Sequence, residues 1–160
     1  MFSVEKIGLL IIFFNPTKED ILNSQRNISY FNSGIIVWNS EKTFEVSNPN
    51  FFEIELTENL GQAKALNIGF EKAISMNLEL LLTLDQDSKF IDKEEKLLKI
   101  INSHHHQFLN PAGFSFLSVS DNKANKKNSK NYYPFLTLTT ITSGTIYLTS
   151  AWKKIYGFKN

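Results

Sequence analysis

The pattern of hydrophobic and polar positions divides the chain into short apolar runs and amphipathic stretches. Residues 7–14 form a continuous apolar run of eight, and residues 80–84 form a second, leucine-rich run. Runs of this kind are typical of strands buried on both faces, as in a parallel sheet covered by helices. Shorter strands are predicted at 35–38 and at 51–56. In 51–56, apolar and acidic residues alternate, which indicates a position near an edge of the sheet.

Amphipathic helices are predicted between these strands. Thr17 and Asp20 have the spacing of a capping box, so a helix should begin after Thr17. Its mainly apolar face consists of Ile21, Leu22, Gln25 and Ile28. Gly34 is expected near the C′ position at the end of this helix. A second helix is predicted from the apolar stripe of Ala63, Leu66, Phe70, Ala73 and Ile74.

The second half of the chain continues the alternation of helices and strands. A capping box from Asp92 to Glu95 predicts a third helix, with Leu97, Leu98, Ile100 and Ile101 on its buried side. The remaining predictions are strands at 114–119, 136–141 and 145–148, an Asn/Lys-rich loop at 121–131, and a short helix at 151–156. Strands that alternate with helices predict one α/β domain over residues 1–160, with a mostly parallel sheet between two helical layers.

Composition and charge exclude several classes of protein. The 160 residues are 42% hydrophobic, enough for a folded core, and the 17 basic and 16 acidic side chains give a net charge of +1. This balance provides no basic surface for nucleic acid. The chain has no cysteine, and its longest apolar run is far shorter than the about 20 residues of a membrane span. We expect a cytoplasmic protein without a signal peptide; peripheral contact with the inner face of a membrane stays open.

Two carboxylates and a hydroxyl follow the leucine-rich strand. They belong to Asp85, Asp87 and Ser88. In open α/β sheets, ligands bind beyond the carboxyl ends of the strands, and residues two apart in an extended chain point to the same side. Hard oxygen ligands suit Mg²⁺ or Mn²⁺ that carries substrate phosphates. The alternative is a solvated turn in which Asp87 or Ser88 caps the next helix.

Six motifs in order resemble one known family. They are Asn15-Pro16, Asn39-Ser40, the Asn59–Gly69 segment with Gly61, Ala63, Ala65 and Asn67, Asp85-Gln86-Asp87-Ser88, Ser143-Gly144 and Gly157-Phe158. Their order and spacing are similar to those of family 2 glycosyltransferases of the GT-A fold. The form Leu-Asp-Gln-Asp-Ser resembles the rhamnosyltransferase-like branch. The resemblance covers residues 7–158, which correspond to the front part of the family's domain.

The resemblance implies transfer of a sugar, rhamnose in that branch, from a nucleoside diphosphate sugar to a polysaccharide or lipid-linked glycan. It implies that Asp87 binds Mg²⁺ or Mn²⁺ and that Asp85 contacts the ribose or the metal. The implied donor-binding residues are Asn15, Trp38, Asn39, Asn59, Gly61, Lys64, Asn67, Asp85, Ser143 and Gly144. The family's catalytic base lies beyond the Gly157-Phe158 motif. We therefore expect this chain to lack the base and the acceptor part, and to show little or no transferase turnover.

Five of the implied residues have a second interpretation. Trp38 replaces the aspartate that reads the base in the family, so its ring either stacks on a base or blocks the pocket. Asn67 is either a ligand contact or a satisfied buried amide. Lys64 neutralises phosphate or is an ordinary exposed lysine, and Ser143-Gly144 contacts the donor or is only a turn.

Two rival functions stay open. The first is a truncated, catalytically inactive domain that binds nucleotide or a partner. The second is a nucleotidyltransferase, which also combines an α/β sheet with metal-binding carboxylates. A nucleotidyltransferase would need a glycine-rich, basic phosphate loop after the first strand, and the segment Asn15-Pro16-Thr17 does not provide one.

Overall fold

A computed structural model describes residues 1–90, 93–104, 113–115, 143–155 and 158. Its strands are β1 (Ile7–Phe13), β2 (Gly34–Trp38), β3 (Phe51–Glu55), β4 (Leu80–Asp85), β5 (Gly113–Ser115) and β6 (Thr145–Leu148). Its helices are α1 (Lys18–Ile28), α2 (Gln62–Ser75), α3 (Glu94–His104) and α4 (Thr149–Ile155), and a short 3-10 turn (Val4–Lys6) precedes β1. These bounds confirm the predicted elements of the first 88 residues.

The six strands form one sheet in the order β3-β2-β1-β4-β6-β5. The strands β1 to β4 run parallel to one another, whereas β6 is antiparallel to both β4 and β5. The register pairs Phe13 with Trp38 and Ile12 with Asp85. The carboxyl ends of β1, β2 and β4 therefore lie at the same edge of the sheet. The structure confirms the mostly parallel sheet and the position of β3 at its border.

Each face of the sheet is covered by two helices, which gives the predicted three layers. One buried cluster joins the sheet to α1 and α3, through Ile28 of α1 and Leu97, Leu98 and Ile101 of α3. The other joins it to α2, through Ala65, Leu66, Phe70 and Ala73, and Trp152 of α4 packs against this cluster. A strand with helices on both faces must be apolar on both sides, which explains the continuous runs in β1 and β4.

The inner face of α1 differs from the prediction. The capping box is present: the Thr17 side chain accepts from the Asp20 backbone N–H at 3.2 Å, and Asp20 Oδ2 accepts from the Thr17 N–H at 2.8 Å. Leu22, however, is 66% exposed. The buried residues of α1 are Ser24, Asn27 and Ile28. The predicted face was right at Ile28 but wrong at Leu22 and Gln25, because two polar side chains of α1 bind backbone groups of the segment after β4, as described below.

Gly34 is not a helix cap. The helix α1 ends at Ile28, and Gly34 is the first residue of β2. A Cβ at Gly34 would collide with the Leu9 carbonyl oxygen and with the ring of Phe51. Glycine is needed there because of close contact between strands, and not to allow a left-handed helix end.

Several predictions fall outside the described residues. They are the start of the third helix at Asp92, most of the 114–119 strand, the 121–131 loop and the 136–141 strand. Among the residues that are described, no helix is both long and apolar enough to cross a membrane.

A carboxyl group is buried where α3 begins. Glu94 is 2% exposed, and its Oε2 accepts from the Asn32 backbone N–H at 3.0 Å. Within the described part of the chain, Oε1 has no hydrogen-bond partner. Burial raises the pKa of Glu94 to about 7, against the opposing effect of the Asn32 hydrogen bond.

We predict that Glu94 makes the stability of the fold depend on pH. Because its pKa is raised on folding, the folded state holds the proton more tightly than the unfolded state does. The stabilisation is complete below the ordinary glutamate pKa of 4.5 and is lost as the pH rises through about 7. Glu94→Gln should raise the free energy of unfolding near pH 8 by about 1–3 kcal/mol. Urea unfolding of both proteins near pH 5 and pH 8 measures this, with Glu71→Gln, at an exposed acid on α2, as control. An identical pH dependence in wild type and Glu94→Gln would contradict the prediction.

Candidate functional site

A cavity of about 530 Å³ opens at the carboxyl edge of the sheet. It is lined by Ile12, Phe14, Asp20, Asn39, Asn59, Gly61, Gln62, Asp85, Gln86 and Asp87. These residues come from the ends of β1, β2 and β4 and from the starts of α1 and α2. This edge is where open α/β sheets bind ligands, and the volume is in the range of small-molecule sites, about 300–1,000 Å³.

The two predicted carboxylates lie in the turn after β4. The Ser88 N–H donates to the Asp85 carbonyl at 3.0 Å and closes the turn around Asp87. The Asp85 N–H donates to Ser143 Oγ at 3.0 Å, and the hydroxyls of Ser88 and Ser143 are 2.8 Å apart. Gly144, with φ of +71°, donates its N–H to the Thr83 carbonyl at 2.8 Å. The Ser143-Gly144 turn therefore holds one side of the carboxylate turn.

The helix α1 holds the other side of this turn. Asn27 is fully buried, and its Nδ2 donates to the Ser88 carbonyl at 2.7 Å while its Oδ1 accepts from the Phe90 N–H at 2.9 Å. Ser24 Oγ donates to the Gln86 carbonyl at 3.2 Å. Buried backbone groups need such partners. These bonds explain why the inner face of α1 is polar.

Gln86 connects the carboxylate turn to the end of β1. Its Oε1 accepts from the Phe14 N–H at 2.8 Å, and its Nε2 lies 3.3 Å from both the Phe14 carbonyl and Asp20 Oδ2. The Phe14 side chain lines the cavity and is 46% exposed. An aromatic surface is thus placed at the same cavity as Asp85 and Asp87.

The end of β2 orders the turn before α2. Asn39 is 4% exposed; its Nδ2 donates to Asn59 Oδ1 and its Oδ1 accepts from the Leu60 N–H, both at 2.9 Å. Asn59 Oδ1 also accepts from the Gly61 N–H at 2.9 Å, and Gly61, with φ of +81°, is the N-cap of α2. Asn15, with φ of +46°, donates its N–H to Ser40 Oγ at 3.0 Å beside this turn.

The charges at the cavity are acidic. Although Asp85 is exposed as a residue, partial burial of its carboxyl raises its pKa, and the charge of Asp87 raises it further, while the Ser143 hydrogen bond lowers it. In the described part of the chain, no ion pair neutralises Asp85 or Asp87. Two such carboxylates fit a hard divalent cation. Since no group of three or more His, Cys, Asp or Glu converges among these residues, water and phosphate oxygens would supply the other ligands.

The structure brings many of the predicted site residues together. Those that line the cavity are Asn39, Asn59, Gly61, Asp85 and Asp87. Ser143, Gly144 and Asn15 do not line it, but they hold its walls through the bonds given above. Their roles toward a ligand remain predictions.

Asn67 and Lys64 do not line the cavity. Asn67 Oδ1 accepts from the Phe158 N–H at 2.7 Å and from Trp152 Nε1 at 3.3 Å, and its Nδ2 donates to the Phe158 carbonyl at 2.9 Å. The amide therefore connects α2 to α4 and to residue 158. This agrees with the second interpretation of Asn67, an amide whose hydrogen bonds are made within the protein. Lys64 is exposed on α2.

Trp38 also lies away from the cavity. It is fully buried, and its ring stacks on Phe13 with centroids 4.7 Å apart and meets the edge of Phe44 at 4.9 Å. Its Nε1 donates to Glu53 Oε2 at 2.9 Å. Because side chains alternate along a strand, Trp38 points into the core while its neighbour Asn39 lines the cavity. The expected position of Trp38 at the donor-binding cavity was wrong, so its ring neither stacks on a base nor blocks the pocket there.

Other cavity residues were missed from the sequence. Phe14, Gln62 and Gln86 were not predicted as ligand-site residues, and Asp20 was predicted only as part of a helix capping box. Gln86 stands between the two aspartates of the motif, and Phe14 stands directly before the Asn15-Pro16 motif. Their proximity to these motifs was the sequence signal that could have identified Phe14 and Gln86 as cavity residues.

Comparison with known proteins identifies the fold. No protein-family profile and no curated protein matches the chain. Staphylococcus aureus TarS 1-349, a GT-A glycosyltransferase, has 21% identity and a TM-score of 0.68 over 96% of this chain and 50% of that one. Its complex with UDP-GlcNAc has 18% identity and a TM-score of 0.66, over 96% and 48%. A 4-diphosphocytidyl-2C-methyl-D-erythritol synthase has 14% identity and a TM-score of 0.50, over 96% and 86%.

The similarity to TarS confirms the predicted GT-A fold. At such low identity it shows the fold alone. The chain spans about half the length of the TarS 1-349 structures that it matches.

We predict that Trp38 stabilises the fold and does not contribute to ligand affinity. Trp38→Ala should lower the free energy of unfolding by about 3–5 kcal/mol, because it empties a buried aromatic site. The exposed aromatic Phe52→Ala, which loses a contact with Lys72, should cost about 1 kcal/mol or less. Urea unfolding measures both. A Trp38→Ala protein of unchanged stability with reduced nucleotide affinity would contradict the prediction.

Proposed function

We propose that this chain is a donor-binding domain of a glycosyltransferase and that its cavity binds a nucleoside diphosphate sugar. The observation that carries the proposal is the meeting of Asp85, Asp87 and the exposed Phe14 in one cavity at the carboxyl edge of the sheet. The fold supports it, since the similar protein TarS has been crystallised in complex with UDP-GlcNAc.

The base of the donor would lie against Phe14. An aromatic ring that is partly exposed in a cavity offers a face for stacking, which is favourable for every base. Phe14 would thus take the stacking role that was one of the two alternatives considered for Trp38.

The diphosphate would lie between the carboxylates and the start of α2. Gly61 and Gln62 place the beginning of this 14-residue helix at the cavity, and its first turn has no acidic residue. The N–H groups of the first helical turn and the positive end of the helix dipole favour a phosphate there. The helix start and the carboxylates thus supply opposite charges on the walls of one cavity.

Asp87 and Asp85 would hold Mg²⁺ or Mn²⁺. When bound, such a cation offsets the negative charge that develops on the departing nucleoside diphosphate. Ser143 anchors the backbone of Asp85, and Asn27 anchors the backbone on the far side of the turn. These contacts keep the carboxylates oriented before a ligand arrives.

The finer parts of the proposal rest on the resemblance of the Leu-Asp-Gln-Asp-Ser segment at residues 84–88 to the rhamnosyltransferase-like branch. They are rhamnose as the sugar, a polysaccharide or lipid-linked glycan as the acceptor, and a location in the cytoplasm or at the inner face of the membrane. A second candidate is a nucleotide-binding domain that does not transfer sugar. The observation that favours it is Trp38, which replaces the family's base-reading aspartate and lies in the core. Acceptor-dependent release of nucleoside diphosphate would support transfer; binding without such release would support the second candidate.

We predict that Asp87→Ala removes metal-dependent nucleotide binding without unfolding the protein. Calorimetric titration with UDP and Mn²⁺ should show an affinity lower by at least about 10- to 100-fold, a loss typical even of residues that only support a metal ligand. Glu71→Ala, an exposed acid on α2, is the matched control and should bind as the wild type does. Unchanged affinity of Asp87→Ala, with Mn²⁺ still required, would refute the metal assignment.

We predict that acid weakens Mn²⁺ binding through Asp85. Its pKa is raised, so protons compete with the metal at a higher pH than at an ordinary aspartate. Mn²⁺ affinity should fall as the pH is lowered from neutrality towards the ordinary aspartate pKa of about 3.9. Ser143→Ala should shift this fall to higher pH, because it removes the hydrogen bond that lowers the Asp85 pKa. Calorimetry across this range tests the shift, with Ser75→Ala at the other end of α2 as control. Equal pH profiles for wild type and Ser143→Ala would contradict it.

A further inference from the structure

Gln86 makes an unusual connection for a residue between two cavity carboxylates. Its side-chain amide pairs with both backbone polar groups of Phe14, accepting from the N–H at 2.8 Å and donating to the carbonyl at 3.3 Å. This pairing fixes the peptide groups on both sides of the Phe14 Cα. The direction of the Phe14 side chain, which lines the cavity, is thereby coupled to the carboxylate turn.

Asp20 fixes the orientation of the Gln86 amide. Asp20 Oδ2 accepts from the Thr17 N–H and from Thr17 Oγ1, each at 2.8 Å, and from Gln86 Nε2 at 3.3 Å. An ionised carboxylate only accepts hydrogen bonds, so the NH₂ group of Gln86 must face Asp20 and the oxygen must face the Phe14 N–H. The capping box of α1 therefore prevents a flip of the amide.

The backbone turns sharply directly after Phe14. Asn15 has φ of +46°, and its N–H donates to Ser40 Oγ at 3.0 Å. Phe14 is thus held from β4 by Gln86, while the next residue is held from the end of β2. The exposed ring is placed by contacts from the segments that follow β4 and β2, the two strands on either side of β1.

We propose that Gln86 is a positioning residue that fixes the Phe14 ring relative to Asp85 and Asp87. The ring would receive the base and the carboxylates would hold the metal and diphosphate, so Gln86 sets the spacing between the two halves of the ligand site. This inference rests on the proposed function, and it assigns to Gln86 a role that neither aspartate performs.

The test distinguishes an effect on binding of the nucleotide base from an effect on binding of the diphosphate. UDP and inorganic pyrophosphate, each with Mn²⁺, are titrated calorimetrically into wild type, Gln86→Met, Phe14→Ala and the double variant. Phe14→Ala should weaken UDP about 5- to 150-fold, the effect of losing one base–aromatic stack. Gln86→Met, which keeps the side-chain length, should weaken UDP by about 2- to 10-fold for each net hydrogen bond lost. Pyrophosphate affinity should be unchanged in both.

The double variant shows whether Gln86 acts through Phe14. If it does, Gln86→Met has no further effect on UDP affinity in the Phe14→Ala background. Gln25→Met, an exposed glutamine on α1, is the control for the substitution itself. Gln86→Leu, which removes both the donor and the acceptor without adding a charge beside the carboxylates, gives a second variant should Gln86→Met fail to fold. It should show the same selective loss for UDP.

Three results would overturn the inference. Equal losses for UDP and pyrophosphate would mean that Gln86 acts on the carboxylates. Additive losses in the double variant would mean that it acts independently of Phe14, and unchanged UDP affinity in Gln86→Met would mean that it has no role. In each case wild type still binds both ligands. A wild-type protein that binds neither ligand with Mn²⁺ would instead refute the proposed function, and this inference with it.

Discussion

The buried amide of Asn27 is the interaction on which the candidate site depends. The turn after β4 passes beneath α1, where its carbonyl and N–H groups have limited access to water. Asn27, fully buried, bonds the Ser88 carbonyl and the Phe90 N–H with one side chain. An unsatisfied buried backbone group costs about 1–3 kcal/mol. The position of Asp85 and Asp87 therefore depends on a polar residue in the core-facing surface of a helix.

The parallel sheet places chemically different groups at one edge. β1 ends before an aromatic ring, β2 before a buried amide, and β4 in a carboxylate. Parallel strands end on the same side, so these groups meet although they are distant along the chain. Asp85 lies beside Asp87 in this arrangement, and its pKa is raised by shielding from water and by the second charge. A fold optimised only for stability would have little reason to keep two unpaired carboxylates together, and such local conflicts are expected at functional sites.

Asn67 and Trp38 show that a motif match predicts the position of a residue in the fold but not the role of its side chain. Asn67 lies on the helix that a resemblance places against nucleotide, yet its amide is used by Phe158 and Trp152. Trp38 precedes a cavity residue, yet its ring stacks on Phe13 in the core. In both cases the backbone position agrees with the motif, while the direction and the partners of the side chain decide the role. Neither can be obtained from spacing, because both depend on elements that are remote in sequence.

The sequence by itself determined the order of helices and strands, the α/β class and the location of the carboxylates at a strand end. These features follow from local periodicity, capping and turn chemistry, which act over a few residues. The tertiary structure decided which side chains face the cavity. It buried Ser24 and Asn27 where an apolar face was expected, turned Trp38 into the core, and joined Gln86 to Phe14 across 72 positions of the chain. Such pairings depend on which backbone groups are left without partners after the sheet and helices have packed, and a single sequence does not contain that information locally.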